Sequence, residues 1–209
     1  MGVKLKMSFV TIDFDICLWK DINIYNNAVG TFRTIDNLIN ENPILDYVRF
    51  DSTLYCRLTE FIVKVARRLP ANKIHFITSH EEIVSLLKTD IKENQLINID
   101  NHHDIQYGSY VEHIDYPQCG SWVKYLYQQN KINSYIHVGT DNSDRPFEED
   151  MPLLTDFFNI HRYDFNLLVE DTEELFICLS PGWVPAKYHD LFKSWAVALS
   201  AMKNCKYTY

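Results

Sequence analysis

The sequence predicts an α/β fold with three layers, in which a mostly parallel β-sheet carries helices on both faces. Short apolar runs alternate along the chain with stretches whose apolar residues recur at helical spacing. Strands that are separated by helices pair in parallel, because the chain must cross back before the next strand begins. A chain of 209 residues with few Pro and Gly fits one domain over residues 1–209.

Each predicted element follows from its local pattern. The predicted strands are Ser8–Ile12, Lys73–Thr78, an apolar run that begins at Leu96, Ser134–Val138 and Glu174–Leu179, with Phe157–Phe165 left open as an edge strand. The predicted helices lie within 26–69 on either side of Pro43, at Ser79–Leu87, at Cys119–Ile132 with Trp122, Val123, Leu126 and Tyr127 on one face, and at Pro185–Met202. Asp51 or Ser52 is an expected N-cap, and Ser79 with Glu82 matches a capping box.

Charge and cysteine content narrow the classes of function. The net charge of -8 with dispersed Lys and Arg argues against nucleic-acid or anionic-membrane binding. No run reaches the length of a membrane span, and the first residues do not resemble a signal peptide. The five cysteines are odd in number and widely spaced, as in proteins of a reducing cytosol. We therefore expect a cytoplasmic protein.

A cluster of metal-binding residue types follows the run that begins at Leu96. Asp100, His102 and Asp104 alternate by two. If the extended backbone continues past the strand, these side chains project to the same side and can converge on one ion. The alternative is an acidic turn that only ends the strand.

Two further strands end in residues of the same kind. Asp13 and Asp15 follow the first strand, and His80 lies in the turn after Lys73–Thr78. One of the two aspartates could instead cap a helix, and His80 could be an ordinary turn residue. Because ligands of parallel sheets bind beyond the carboxyl ends of the strands, the fold predicts that all of these residues lie at one edge.

These three segments together resemble the ureohydrolase superfamily, which has the arginase/deacetylase-like fold. Asp100-Asn101-His102-His103-Asp104-Ile105 is similar to its Asp-Ala-His-x-Asp-Ile motif, Ser79-His80 to the end of its Gly-Gly-Asp-His turn, and Ser8–Asp15 to its Ser-x-Asp-x-Asp strand. Here the last of these comes first in the chain, which suggests a circular permutation. In this the chain more closely resembles the bacterial peptide arginases, which convert arginine to ornithine within a ribosomally made precursor peptide.

The resemblance implies two Mn²⁺ ions and a set of residue roles. One ion would be held by His80, Asp100, Asp104 and Asp13, and the other by Asp100, His102, Asp13 and Asp15. A hydroxide that bridges the ions would attack the guanidinium carbon and release urea, with Asp104 as the proton shuttle. His113 is a second catalytic candidate by its distance from the ligand motif, and its alternative is a surface histidine.

Some residues depart from the arginase pattern. Cys178 stands nearest to the position of the Glu that binds the guanidinium in arginases, which leaves Asp141, Glu173 and Glu174 as candidates, each also explained as a solvated charge. Gln106 stands where an Asn would contact the carboxylate of a free amino acid, which suggests that free arginine is not the substrate. His103 is expected to be a neighbour of the site, because it projects opposite to His102.

Two other functions remain open from the sequence. One is hydrolysis of a free guanidino compound or an acylated amine by the same metal chemistry. The other is a non-catalytic binding protein in which cations only tie the strand ends together.

Overall fold

The computed structural model describes residues 8–20, 48–87, 95–106, 110–140, 146–181 and 183–207. Its strands are β1 (Ser8–Asp13), β2 (Leu18–Lys20), β3 (Val48–Phe50), β4 (Ile74–Ile77), β5 (Gln95–Ile99), β6 (Tyr135–Gly139), β7 (Leu154–Asn159) and β8 (Thr172–Cys178). Its α-helices are α1 (Ser52–Arg68), α2 (Glu82–Leu86), α3 (Trp122–Gln128), α4 (Asn166–Val169) and α5 (His189–Lys203). Short 3₁₀ segments lie at Phe14–Cys17, Ala71–Lys73, Glu148–Leu153 and Ala186–Tyr188.

Six strands form one parallel sheet in the order β4-β8-β1-β5-β6-β7. The first strand of the chain therefore lies at the centre, between β8 and β5. This confirms the predicted α/β fold with a mostly parallel sheet. The segment left open as an edge strand forms β7, which pairs only with β6 among the described strands.

Two groups of buried side chains cover the two faces of this sheet. Val10 and Ile12 of β1 pack in one group with residues of α1 and α5, whereas Phe9 packs in the other with residues of α2 and α3. Successive residues of a strand point to opposite faces, so one strand supplies both groups. Helices on both faces give the three predicted layers.

The longest helix forms where its pattern predicts it. Asp51 Oδ1 accepts the backbone N–H of Leu54 at 2.8 Å, an N-cap of the kind that stabilises a helix by about 1 kcal/mol. The apolar residues of α1 are buried against the sheet at three- and four-residue spacing. Tyr55 stacks on Trp195 with ring centroids 5.0 Å apart, which joins α1 to α5.

Four local predictions need correction or fall outside the described residues. The carboxylate of Glu82 accepts the N–H groups of Thr78 and Ser79, but the Ser79 hydroxyl turns to Glu81, so only half of the capping box forms.

Helix α3 is shorter than predicted, and Tyr127 is 45% exposed because the buried side of this short helix is centred on Trp122 and Leu126. Of the region predicted to be helical from residue 26, residues 26–47 lie outside the described part, and Val48–Phe50 pairs with β2 as a strand. No helix in the described segments is both long and apolar enough to cross a membrane.

Candidate metal centre

The carboxyl ends of three neighbouring strands set three side chains in a row. Asp13 of β1 is in register with Cys178 of β8, and Ile12 is in register with Ile99, the residue before Asp100. Residues paired across neighbouring strands point to the same face of a sheet. Cys178, Asp13 and Asp100 therefore line one edge, and all three are buried.

His80 reaches this row from the turn after β4. Its Nδ1 lies 2.8 Å from Asp104 Oδ2, 3.5 Å from Asp100 Oδ2 and 3.8 Å from Asp13 Oδ2. On the other side of the ring, Nε2 lies 3.1 Å from the hydroxyl of Thr11, which fixes the orientation of the imidazole. One nitrogen of His80 thus faces three carboxylates.

Asp104 is aimed at the row by a turn. Its φ of 53° lies in the left-handed region that few residues other than glycine adopt. The indole N–H of Trp122, at the start of α3, donates to Asp104 Oδ2 at 2.6 Å. Asp104 Oδ2 therefore contacts both the indole N–H of Trp122 and Nδ1 of His80, so side chains from two parts of the fold hold this carboxylate in place.

A second group lies on the other side of Asp100. His102 Nδ1 lies 3.4 Å from Asp15 Oδ2 and 3.4 Å from Asp100 Oδ1. Asn101 donates to the backbone carbonyl of Asp15 at 2.8 Å, and the ring of Trp183 lies 4.6 Å from that of His102. Asp15 is buried, and it sits in the 3₁₀ segment that Asp13 caps by accepting its N–H.

Asp100 connects the two groups through its two carboxylate oxygens. Oδ2 faces His80, whereas Oδ1 faces His102 and accepts its backbone N–H at 2.9 Å. Candidate ligand atoms converge to within 4.8 Å in three sets: Asp13, His80 and Cys178; Asp15, Asp100 and His102; and His80, Asp100 and Asp104. These buried Asp and His groups are placed where they could hold a metal ion.

The electrostatics of the cluster favour the binding of a cation. Burial, together with the negative charges of neighbouring aspartates, raises the pKa of both Asp13 and Asp100 well above the usual 3.8. Burial disfavours the charged form of His80, but the hydrogen bond with Asp104 and the nearby carboxylates outweigh it and raise its pKa to about 10. A divalent cation would replace these protons and balance the carboxylates.

His137 of β6 contacts the backbone of the cluster at Asp100. Its Nε2 donates to the backbone carbonyl of Asp100 at 2.9 Å. Burial lowers the pKa of His137 to about 4, so the ring is neutral at physiological pH and adds no positive charge. His137 thus fixes the backbone of Asp100 without competing with a cation.

A small cavity opens onto the cluster. Its volume is about 20 Å³, room for one or two guests of the size of a water molecule or an ion. The residues that line it are Asp13, His80, His102, Asp104, Cys119, Gly120, Ser180 and Trp183. Cys119, Gly120 and Trp183 are partly exposed, so they form the mouth.

The predicted ligands converge, although by a different backbone path. Strand β5 ends at Ile99, and a turn rather than extended chain brings Asp104 back to the row. His113 stands apart from the three sets: its side chain is 65% exposed and lies 3.8 Å from that of Asp115. His103 is buried and accepts the N–H of Ile105 at 3.0 Å.

The residues considered for substrate binding are Glu173, Glu174, Asp141 and Gln106. Glu173 and Glu174 belong to β8 rather than to a loop, and Glu174 pairs with Lys73 and His75 at the start of that strand. Asp141 lies outside the described residues. Gln106 is buried, and its side-chain oxygen accepts from Lys124 at 2.9 Å.

Several residues of the cluster were not predicted to belong to it. The sequence places Trp122 on the apolar face of a helix, assigns no role to Ser180 or Trp183, and marks Cys178 only as a departure from the arginase pattern. Ser180 has a φ of 49°, and its hydroxyl donates to Asp13 Oδ2 at 2.5 Å. The position of Cys178 at a strand end was the one available signal, because such residues share the edge with Asp13 and Asp100.

Comparison of the chain with protein-family models, with curated proteins and with solved structures gave no match.

Proposed function

We propose that the protein is a dimanganese hydrolase that converts arginine residues of a ribosomally made precursor peptide to ornithine, with release of urea. The observation that carries this proposal is Asp100, whose two oxygens face two different histidines, each with further carboxylates around it. A carboxylate with this orientation suits a bridge between two cations. The similarity of Asp100–Ile105 to the arginase motif supplies the chemistry.

The donor set fits two manganese ions. His80, Asp100, Asp104 and Asp13 would hold one ion, and Asp100, His102, Asp13 and Asp15 the other. Carboxylates with two imidazoles form a hard set of ligands, which favours Mn²⁺ over softer ions. When bound, such a pair of cations lowers the pKa of a coordinated water and supplies a nucleophile near neutral pH.

Asp104 is the residue proposed to move the proton. It would accept the proton of the attacking water and pass it to the amine that leaves the guanidinium carbon. The Trp122 N–H at 2.6 Å and His80 at 2.8 Å hold one of its oxygens in place. A fixed carboxylate keeps the transfer distance short, which is what general acid–base catalysis requires.

A peptide substrate is supported by the mouth of the cavity and by Gln106. The mouth carries Trp183 and Gly120, and the segment that precedes Cys119 in the chain exposes Tyr110 and Tyr116. Gln106 is engaged by Lys124, whose ammonium is in turn paired with Asp150 at 2.9 Å. Gln106 and Lys124 therefore contact each other rather than the carboxylate of a free amino acid. Exposed aromatic rings suit contact with the further residues of a peptide substrate.

The test is incubation of the Mn²⁺-loaded protein with arginine peptides, followed by mass spectrometry and a urea assay. Each converted arginine should lose about 42 mass units, since hydrolysis removes the amidino group as urea. Peptides in which lysine replaces arginine are the matched substrate control, and Asp100→Asn is the matched variant. Unchanged masses for a panel of arginine peptides would contradict the proposal.

One observation favours a different function. The cavity of about 20 Å³ among the described residues has room for ions, which suits a binding protein whose cations only stabilise the fold. In that case metal would raise the melting temperature, but neither arginine peptides, free guanidino compounds nor acylated amines would be hydrolysed.

A further inference from the structure

We infer that Cys178 is a ligand of the cation held by Asp13 and His80, so that one metal position is softer than the other. This inference rests on the metal centre of the proposed function and concerns which ions that centre selects. The second position, formed by Asp15, Asp100 and His102, offers only oxygen and nitrogen.

The geometry brings a sulfur atom to the cluster. The ligand atoms of Asp13, His80 and Cys178 all lie within 4.8 Å of one another. Three atoms bound to one ion by bonds of about 2.0–2.3 Å lie about 3.3–4.0 Å from one another. Side-chain rotations that bring these atoms about 1 Å closer together would place all three on one ion.

The backbone and Ser180 fix Cys178 in this position. Cys178 is in register with Asp13 on one side and with Ile77 of β4, the strand that leads to His80, on the other. The Cys178 sulfur lies 3.3 Å from the Ser180 hydroxyl, which donates to Asp13 at 2.5 Å. Ser180 holds the left-handed backbone conformation that allows this contact, so the arrangement is built into the strand end.

Coordination by Cys178 has a consequence for the choice of metal. The thiol gives up its proton to solvent when it binds as a thiolate. Thiolate ligands favour Zn²⁺ and Co²⁺, whereas a set of carboxylates with imidazole suits Mn²⁺. The position of Cys178 would thus also accept Zn²⁺ or Co²⁺ in place of Mn²⁺, whereas the position of Asp15 and His102 would favour Mn²⁺.

Titration of the metal-free protein with Co²⁺ tests this assignment by absorption spectroscopy. Wild-type protein should show visible cobalt bands together with the intense near-ultraviolet band of thiolate-to-cobalt charge transfer. Cys178→Ser should keep the visible bands but lose the charge-transfer band. Cys119→Ser is the matched control, because Cys119 lines the same cavity, and it should keep both.

The outcomes separate this inference from the proposed function. Absence of any cobalt spectrum in the wild type would contradict the metal centre itself. Cobalt binding without the charge-transfer band, or with a band lost in Cys119→Ser instead, would overturn only the assignment of Cys178. If Cys178→Ser fails to fold by circular dichroism, the spectra of the wild type and Cys119→Ser still decide.

A competition between metals provides the second measurement. Cys178→Ser removes the thiolate that favours Zn²⁺, so it should lower the affinity for Zn²⁺ by about tenfold or more. It should leave the affinity for Mn²⁺ nearly unchanged. An equal loss for both ions would contradict a specific role of the sulfur.

Discussion

Two charged clusters occupy opposite ends of the same strand and differ in their balance of charge. At the start of β8, Glu174 pairs with Lys73 at 2.9 Å and with His75 at 2.7 Å. At its end, Cys178 lies beside a cluster in which Asp13, Asp15, Asp100 and Asp104 surround two histidines. The first cluster is balanced, whereas the second has an excess of carboxylates.

The pKa values reflect this difference. Burial tends to raise the pKa of Glu174, but its hydrogen bonds with His75 and Lys73 outweigh burial and lower it below the usual 4.5. Burial and neighbouring carboxylates instead raise the pKa of Asp13 and Asp100. A balanced ion cluster stabilises a strand pair by itself, but an excess of buried carboxylates needs protons or a cation.

The largest expected effect comes from Asp100→Asn. This change removes the carboxylate that faces both histidines, so both metal positions should be lost together. Wild-type protein should gain about 4 kcal/mol in free energy of unfolding when Mn²⁺ is present at about a thousand times its dissociation constant. Asp100→Asn should gain almost none, as measured by thermal denaturation with and without metal.

Glu174→Gln is the control for that experiment, because it alters a buried carboxylate at the opposite end of β8, outside the metal cluster. It should keep the full gain from Mn²⁺. An equal gain in wild type and Asp100→Asn would contradict the role of Asp100.

The second effect is the pH dependence of the metal-free protein. Asp13, Asp100 and His80 have raised pKa values in the folded state, so they bind more protons there than in the unfolded chain. The contribution of Asp13 and Asp100 to the free energy of unfolding is fully present below about pH 4, and that of His80 below about pH 6.5. Each contribution is lost as pH rises through the raised pKa of the group. Melting temperatures of chelator-treated protein should therefore fall between about pH 5 and pH 9.

Metal should reverse this trend, because the ions displace the same protons and bind more tightly as pH rises. The gain in melting temperature from Mn²⁺ should thus increase with pH. If the gain in melting temperature is the same across this pH range, then Asp13, Asp100 and His80, the groups with raised pKa values, do not bind the metal.

A smaller effect is expected from Trp122→Phe. The variant keeps an aromatic ring in the core but loses the N–H that holds Asp104. Loss of a residue that orients a metal ligand costs on the order of 10–100-fold in affinity or activity. Turnover of an arginine peptide and the dissociation constant of Mn²⁺ measure this, and Trp195→Phe in the opposite core layer is the control.

The smallest effect is that of Glu174→Gln at the balanced end of β8. We expect a loss of about 1 kcal/mol in the free energy of unfolding at neutral pH, since two charge-assisted hydrogen bonds weaken while the partly exposed Lys73 is screened by solvent. The loss should decrease as pH falls below about 4.5 and vanish only below the lowered pKa of Glu174, where the folded protein also binds this proton. Urea denaturation at about pH 7 and at a series of values below about pH 4.5 measures this decrease.

The central part of the site was predictable from sequence because parallel strands end at one edge. Asp13 ends a strand and His80 and Asp100 each follow one, and the order of strands in the sheet does not change that edge. The path of the chain was not predictable in the same way. Asp104 reaches the cluster through a turn with positive φ, which the alternation of Asp100, His102 and Asp104 does not indicate.

Residues that depend on long-range pairing were the ones missed. Cys178 joins the row only because β8 pairs with β1, two strands at opposite ends of the chain. Trp122 reads as an ordinary apolar residue of α3, and its N–H contact depends on how that helix packs. Periodicity predicts which side of an element is buried, but not which atom it meets.

Anomalous diffraction at the manganese edge, from crystals grown with Mn²⁺, tests the central claim most directly. We expect two peaks on either side of the Asp100 carboxylate, one toward His80 and one toward His102. A map without peaks at this edge of the sheet would contradict the metal centre, and with it the proposed hydrolase.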